Sequence, residues 1–72
     1  MDNLEAKSRI KTAKNLEELL QILKSLGHNP GIYLRGSKWR AYVNVGSNTW
    51  EESEDPMKAF YKAIRKTYRG AV

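Results

Sequence analysis

Residues 31–45, GIYLRGSKWRAYVNV, alternate between apolar and polar side chains in two runs that meet at Gly36-Ser37. Alternation with a period of two is typical of β-strands that bury one face. Gly-Ser between two such runs predicts a type II′ turn. With this turn, Leu34 lies opposite Trp39 and Tyr33 lies opposite Arg40. Because a slip of one residue would oppose apolar with polar side chains, the pattern predicts a hairpin with one register.

A third short strand is predicted at residues 49–52, after a two-residue turn at Gly46-Ser47. In that register Trp50 pairs with Val43 and points inward, whereas Glu51 lies on the outer face opposite Tyr42. The three strands would form an antiparallel meander. Its predicted inner face carries Ile32, Leu34, Trp39, Ala41, Val43 and Val45, and its outer face carries Tyr33, Arg35, Lys38, Arg40, Tyr42 and Asn44.

Helices are predicted on either side of the sheet segment. Asn15 and Glu18 form the pattern of a capping box before a run of leucines at helical spacing, and Gly27 is expected to end that helix. Asp55-Pro56 is typical of a second helix start. Its expected buried stripe is Met57, Phe60, Ala63, Ile64 and Thr67, with the helix ending at Gly70. Residues 1–14 are expected either to extend the first helix or to form a flexible basic arm.

The predicted fold class is therefore α+β, with a three-stranded antiparallel meander and two helices packed on one face, in the order α-β-β-β-α. A chain of 72 residues is expected to be a single domain over residues 1–72. Since antiparallel sheets can leave one face in water, the face that carries Tyr33 and Arg40 is expected to be exposed.

Few residues suggest catalysis. The chain has no cysteine and one histidine, His28, which is expected to be a solvated side chain in a Gly/Pro turn. No phosphate-binding or dinucleotide motif is present. The acidic segment 51–55 is interpreted mainly as a favourable charge at a helix N-terminus. We expect a protein without enzymatic activity, cofactor or metal, and a cytoplasmic location without a membrane span.

The charge favours a polyanionic partner. Thirteen Lys and Arg residues exceed eight Asp and Glu residues, which gives a net charge of +5. We expect a nucleic-acid-binding module, with DNA favoured over RNA. Two sets of candidate residues lie on the outer sheet face and on the second helix: Tyr33, Arg35, Lys38, Arg40 and Tyr42, and Lys62, Arg65 and Arg69. The alternative is an accessory factor that binds and inhibits or modulates a host protein complex, either with a basic surface that occupies the nucleic-acid site of that complex or with the acidic segment 51–55 as a contact edge. A homodimer, through the sheet edge or the first helix, is compatible with both.

Three resemblances bear on these expectations. The segments GIYLR, KWRAYV and AFYKAIRKTYRG resemble plant ethylene-response-type DNA-binding domains and the arm-binding domains of phage integrases, which implies that Arg35, Lys38, Arg40 and Tyr42 face DNA. The helix-sheet-helix order is also similar to double-stranded-RNA-binding domains, but EDPMK stands where those domains carry a basic run. Over most of its length, the chain resembles small helix-sheet-helix accessory proteins of phages and prophages, which implies a phage or mobile-element origin.

Overall fold

The computed structural model describes residues 3–68, and their side chains from residue 5 onward. It contains three helices and one three-stranded antiparallel sheet in the order β1-β2-β3. The elements are α1 (Asn3–Lys11), α2 (Leu16–Ser25), β1 (Gly31–Arg35), β2 (Lys38–Tyr42), β3 (Trp50–Ser53) and α3 (Pro56–Thr67). The predicted α+β class and meander are confirmed, with one additional helix at the N-terminal side.

The hairpin has the predicted register. Leu34 pairs with Trp39, Tyr33 with Arg40 and Arg35 with Lys38. Gly36 has a φ of 64°, and within residues 3–68 no residue other than glycine has a positive φ. This combination is the signature of the type II′ turn, in which only the first central residue has a positive φ.

Both predicted helix starts are confirmed. The Asn15 side chain accepts a hydrogen bond from the Glu18 amide at 2.9 Å, and Glu18 Oε1 accepts one from the Lys14 amide at 3.2 Å. At α3, Asp55 accepts from the Met57 amide at 2.9 Å. Such bonds satisfy amides that a helix N-terminus leaves without a partner.

Helix α1 is separate from α2 and does not extend it. Its last turn closes with bonds from the Thr12 amide to the Arg9 carbonyl and from the Ala13 amide to the Ile10 carbonyl. The chain then adopts an extended conformation at Asn15, where φ is −151°. Residues 3–11 are therefore helical, as one of the two expected alternatives had it, but they form a helix of their own. The predicted end of the last helix at Gly70 lies outside the described residues.

One core joins the three helices to one face of the sheet. Leu19 and Leu23 of α2 and Phe60 of α3 are fully buried together with Ala41 of β2 and Val43, which follows β2. The core also includes Ala6, Ile10, Ala59, Ala63, Ile64 and Tyr68. Helix α3 packs on β2 and β3. The helices therefore cover the inner face over β2 and β3 and leave the far end of β1 less covered.

Two residues that were predicted to be buried are exposed. The Leu34 residue is 57% exposed and Val45 is 54% exposed. Leu34 lies near the tip of the hairpin, beyond the helices that cover Ala41. Val45 has left the strand altogether and lies in the loop before β3.

The predicted register of β3 is also wrong. Trp50 pairs with Tyr42, and Glu51 pairs with Ala41. The connection is longer than the predicted two-residue turn, because Val43 already donates a hydrogen bond to the Thr49 carbonyl and residues 44–48 form the loop. A shift of one residue moves every side chain of a strand to the opposite face. Trp50 therefore belongs to the outer face and Glu51 to the inner side.

None of the helices in residues 3–68 has the length and apolar composition needed to cross a membrane.

Candidate nucleic-acid interface

Three aromatic side chains cross the outer face of the sheet, one from each strand. The rings of Tyr33 and Tyr42 are nearly parallel, at 20°, with centroids 6.2 Å apart. Tyr42 and Trp50 follow at 6.4 Å with an angle of 46° between their planes. The Tyr33 residue is 44% exposed, and the other two are partly buried. We call Tyr33, Tyr42 and Trp50 the aromatic row.

A hollow of about 470 Å³ lies beside the aromatic row. Its base includes Gly31, which lies opposite Tyr42 in the hairpin. A Cβ atom at residue 31 would lie 2.6 Å from Cγ2 of Val45, so glycine lets the loop approach the strand here. The hollow is lined by the aromatic row and by Gly31, Ile32, Val45, Gly46 and Ser47. Its lining therefore combines three aromatic residues with aliphatic and small ones, which suits a flat apolar group.

Arg40 lies at the centre of the outer face and is already occupied. Its Nε and Nη2 atoms both lie 2.9 Å from Oε2 of Glu52, the residue opposite it in β3. Its guanidinium carbon lies 3.9 Å from the centroid of the Trp50 ring, within cation–π distance. The Arg40 side chain is 15% exposed. Arg40 therefore bridges Glu52 and the Trp50 ring, and its predicted contact with DNA stays a prediction.

The electrostatics of the row follow from this central cation. Hydrogen bonding to Arg40, and then to Tyr33, lowers the pKa of the Tyr42 phenol, because both interactions favour the ionised form. In return, the interaction with Tyr42 raises the pKa of Arg40. The outer face thus holds a guanidinium among its rings, and the Glu52 carboxylate balances its charge.

Two predicted cations remain available on the same face. Arg35 and Lys38 form the pair that flanks the turn, and both are exposed. Among the described residues, neither forms an ion pair with a carboxylate. They place two unpaired positive charges at the hairpin tip, next to Tyr33 and Arg40 in the sheet.

The predicted helix set does not assemble into one surface with the sheet set. Lys62 Nζ lies 3.4 Å from the carbonyl oxygen of Glu52, at the edge of β3, and Arg65 is exposed on α3. Tyr68, directly after the end of α3, is only 8% exposed and belongs to the core. Arg69 lies outside the described residues.

The acidic segment is largely engaged within the chain. Glu52 binds Arg40, Glu51 Oε2 lies 3.6 Å from Lys66 Nζ, and Asp55 caps α3. This agrees with a structural interpretation of the segment. A protein partner that binds residues 51–55 stays a prediction without a specific observation in its favour. Across residues 3–68, no three side chains of the metal-binding types come together.

His28 was expected to be solvated, and this is wrong. Its Nε2 atom lies 2.6 Å from the Tyr68 hydroxyl, and its Nδ1 lies 3.1 Å from the Asn44 amide nitrogen. His28, which follows α2, thus connects this helix through hydrogen bonds to Tyr68 at the end of α3 and to Asn44 in the loop after β2. Its role in the fold is therefore structural.

The residue that sequence reasoning missed is Trp50. The signals that could have placed it were Ser47 and Thr49, whose hydroxyls bond to each other and to the backbone of Asn44: Ser47 Oγ donates to the Asn44 carbonyl, and Thr49 Oγ1 accepts from the Asn44 amide. Short polar residues of this kind stabilise loops by such bonds and predict a longer connection than two residues. The longer loop also sets Glu52 opposite Arg40, which is the favourable charge pairing.

No protein-family model, curated protein or solved structure matches the chain.

Proposed function

We propose that the chain binds single-stranded nucleic acid on the outer face of its sheet. The observation that carries this proposal is the aromatic row, Tyr33, Tyr42 and Trp50, beside an open hollow on the face opposite the helices. Bases stack on exposed aromatic side chains with little dependence on sequence, and each such contact contributes about 1–3 kcal/mol.

The charges of the same face support a polyanion. Arg35 and Lys38 are exposed at the hairpin tip, within two strand positions of Tyr33 and Arg40. Side chains two positions apart on one strand face are separated by about 7 Å. A nucleic-acid strand with a base stacked on Tyr33 would bring its phosphates close to Arg35 and Lys38. Contacts between these side chains and the phosphates release counterions from the nucleic acid, which favours binding.

A single strand fits this face better than a duplex. Base stacking needs bases whose faces are free, and these are present in single strands and loops. Reading a duplex groove would instead need free donors near the centre of the face, where Arg40 is bonded to Glu52. The preference for DNA over RNA, the cytoplasmic location, the absence of enzymatic activity and the phage origin stay predictions from the sequence.

The test is a titration of labelled oligonucleotides of roughly 12 nucleotides, a length in the range of small single-strand-binding folds. Single-stranded DNA, single-stranded RNA and duplex DNA are compared by fluorescence anisotropy at several salt concentrations. We expect the single strands to bind more tightly than the duplex. A duplex that binds more tightly than both single strands would contradict the proposal.

A charge variant and its matched control locate the site. Combining Arg35→Ala with Lys38→Ala should reduce affinity about tenfold at low salt. The slope of log K against log salt is negative, and its magnitude should fall by about 1.4, since each phosphate contact to a single strand contributes about 0.7. The control combines Lys14→Ala with Lys24→Ala, two exposed lysines beside and on α2. Equal weakening by both pairs would mean that only net charge matters and that the sheet face is not the site.

A further inference from the structure

Strand β1 is an open edge of the sheet. The strand order places β1 at one end and β3 at the other. Helix α3 packs against β3, and Lys62 Nζ of this helix donates a hydrogen bond to the carbonyl oxygen of Glu52. Within residues 3–68, no backbone group outside the hairpin forms a hydrogen bond with Ile32 or Leu34. An edge of this kind can accept a further strand.

The turn determines which backbone groups face outward. In a two-residue hairpin, the pair that flanks the turn is hydrogen-bonded, and such pairs alternate along the strands. Arg35, Tyr33 and Gly31 therefore direct their amide and carbonyl groups toward β2. Ile32 and Leu34 direct theirs toward the free edge.

The side chains of this edge lack the features that protect edge strands in monomers. Natural edges carry proline, bulges or charges that point inward. In β1 the sequence is GIYLR, with its only charge at the last residue. Tyr33 on the outer face is 44% exposed and Leu34 on the inner face is 57% exposed, so that apolar surface is uncovered on both sides of the strand.

We propose that β1 pairs in antiparallel fashion with β1 of a second copy of this chain, with a two-fold axis at Tyr33. In this register Ile32 lies opposite Leu34 of the second copy, and these residues exchange backbone hydrogen bonds through the groups that face outward. The two Tyr33 residues form the non-hydrogen-bonded pair on the axis, where side chains approach most closely.

The strand is complementary to itself in this register. On the inner face, isoleucine meets leucine, and the exposed Leu34 is covered. On the outer face, tyrosine meets tyrosine, and each Arg35 lies opposite the uncharged Gly31 of the other copy. No like charges are directly opposed. A closed two-fold interface of this kind uses the same patch on both copies and does not propagate further.

The dimer would have one six-stranded sheet with its two aromatic rows joined at Tyr33. This interface does not depend on nucleic acid, and it is tested on the protein alone. Failure of the binding experiment would leave it standing, and failure of dimerisation would leave the nucleic-acid site on each monomer.

The test uses the absence of cysteine from the chain, which gives a clean background for cross-linking. In Tyr33→Cys the two thiols would lie on the axis, at a Cα separation of about 4.5 Å in a non-hydrogen-bonded pair. This is within the range of a disulfide. In the matched control, Arg35→Cys, the two cysteines lie four residues apart along the paired strands, about 14 Å. Both positions are exposed.

Under a mild oxidant, we expect Tyr33→Cys to form a covalent dimer at least tenfold faster than Arg35→Cys. Similar rates for the two variants, or no dimer from Tyr33→Cys, would overturn the proposed register. Sedimentation of the unmodified chain provides a second measurement. It should show reversible self-association that Leu34→Lys weakens at least tenfold and that Asn48→Lys, which adds the same charge at an exposed position of the loop before β3, leaves unchanged. A chain that stays monomeric at all concentrations would overturn the dimer itself.

Discussion

At the scale of single residues, Tyr42 and Tyr68 lie in environments that shift their pKa values in opposite directions. Hydrogen bonding to Arg40 lowers the pKa of Tyr42, whereas burial raises the pKa of Tyr68. In an alkaline titration followed by phenolate absorbance, one tyrosine should ionise below the ordinary pKa of about 10 and one above it. Tyr42→Phe should remove the early component and Tyr68→Phe the late one. If Tyr42→Phe leaves the early component in place, the Arg40 contact is not as described.

The raised pKa of Tyr68 also predicts how stability changes with pH. Because the folded state holds this proton more tightly than the unfolded state, Tyr68 stabilises the fold fully below the unfolded pKa of about 10. That contribution is lost as the pH rises through the folded pKa. The free energy of unfolding, measured with urea, should therefore fall above about pH 10, and the fall should be smaller in Tyr68→Phe. An equal fall in the variant would assign the alkaline instability to other groups.

The bond between His28 and Tyr68 gives a second prediction for Tyr68→Phe, near neutral pH. Removal of the hydroxyl leaves the partly buried His28 Nε2 without its partner at 2.6 Å. Loss of one partner of a buried hydrogen bond costs about 1–3 kcal/mol, so the free energy of unfolding should fall by this amount. Tyr61→Phe is the control, since Tyr61 is partly buried and its hydroxyl has no hydrogen bond in the structure. A loss in Tyr61→Phe as large as that in Tyr68→Phe would contradict the role given to His28.

At this scale the sequence could not reveal His28. Its partners, Asn44 and Tyr68, lie 16 and 40 residues further along the chain. Neither distance corresponds to a helical or strand period. Only the packing of α2, α3 and the loop after β2 brings the three side chains together.

At the scale of elements, the sequence predicted those features correctly that depend on a single short segment of the chain. The β1–β2 register, the type II′ turn and both helix caps depend on residues that are neighbours in sequence, and all are confirmed. The β2–β3 register failed because it depends on loop hydrogen bonds from Asn44 and Thr49 that alternation does not encode. That one-residue error concealed the third member of the aromatic row.

The hairpin turn gives the prediction that belongs to this scale. Gly36→Ala places a Cβ at a residue with a φ of 64°, which L-residues other than glycine seldom adopt. The free energy of unfolding should fall by about 1 kcal/mol or more. Ser37→Ala is the neighbouring control, because Ser37 does not have a positive φ, and it should change stability by less than about 0.5 kcal/mol. Equal effects of the two substitutions, measured by urea unfolding, would contradict the type II′ turn.

At the scale of the whole molecule, the two faces of the sheet have different environments. The inner face supplies Ala41 and Val43 to the core, and the outer face presents the aromatic row. The net charge of +5 was visible in the sequence, but its distribution was not. Arg40, one of the candidate residues, is paired with Glu52, whereas Arg35 and Lys38 at the hairpin tip are exposed.

The two tryptophans allow the central claim to be measured directly, because they lie on opposite faces of the sheet. Trp50 belongs to the aromatic row, whereas Trp39 packs against the helix side of the core. Trp39→Phe leaves Trp50 as the only tryptophan, and Trp50→Phe leaves Trp39. Tryptophan fluorescence is recorded for both variants while single-stranded DNA is added, with urea unfolding as a check that both are folded. We predict strong, saturable quenching in Trp39→Phe and little change in Trp50→Phe. Binding of DNA without quenching of Trp50, or with equal quenching of Trp39, would contradict a site on the outer face of the sheet.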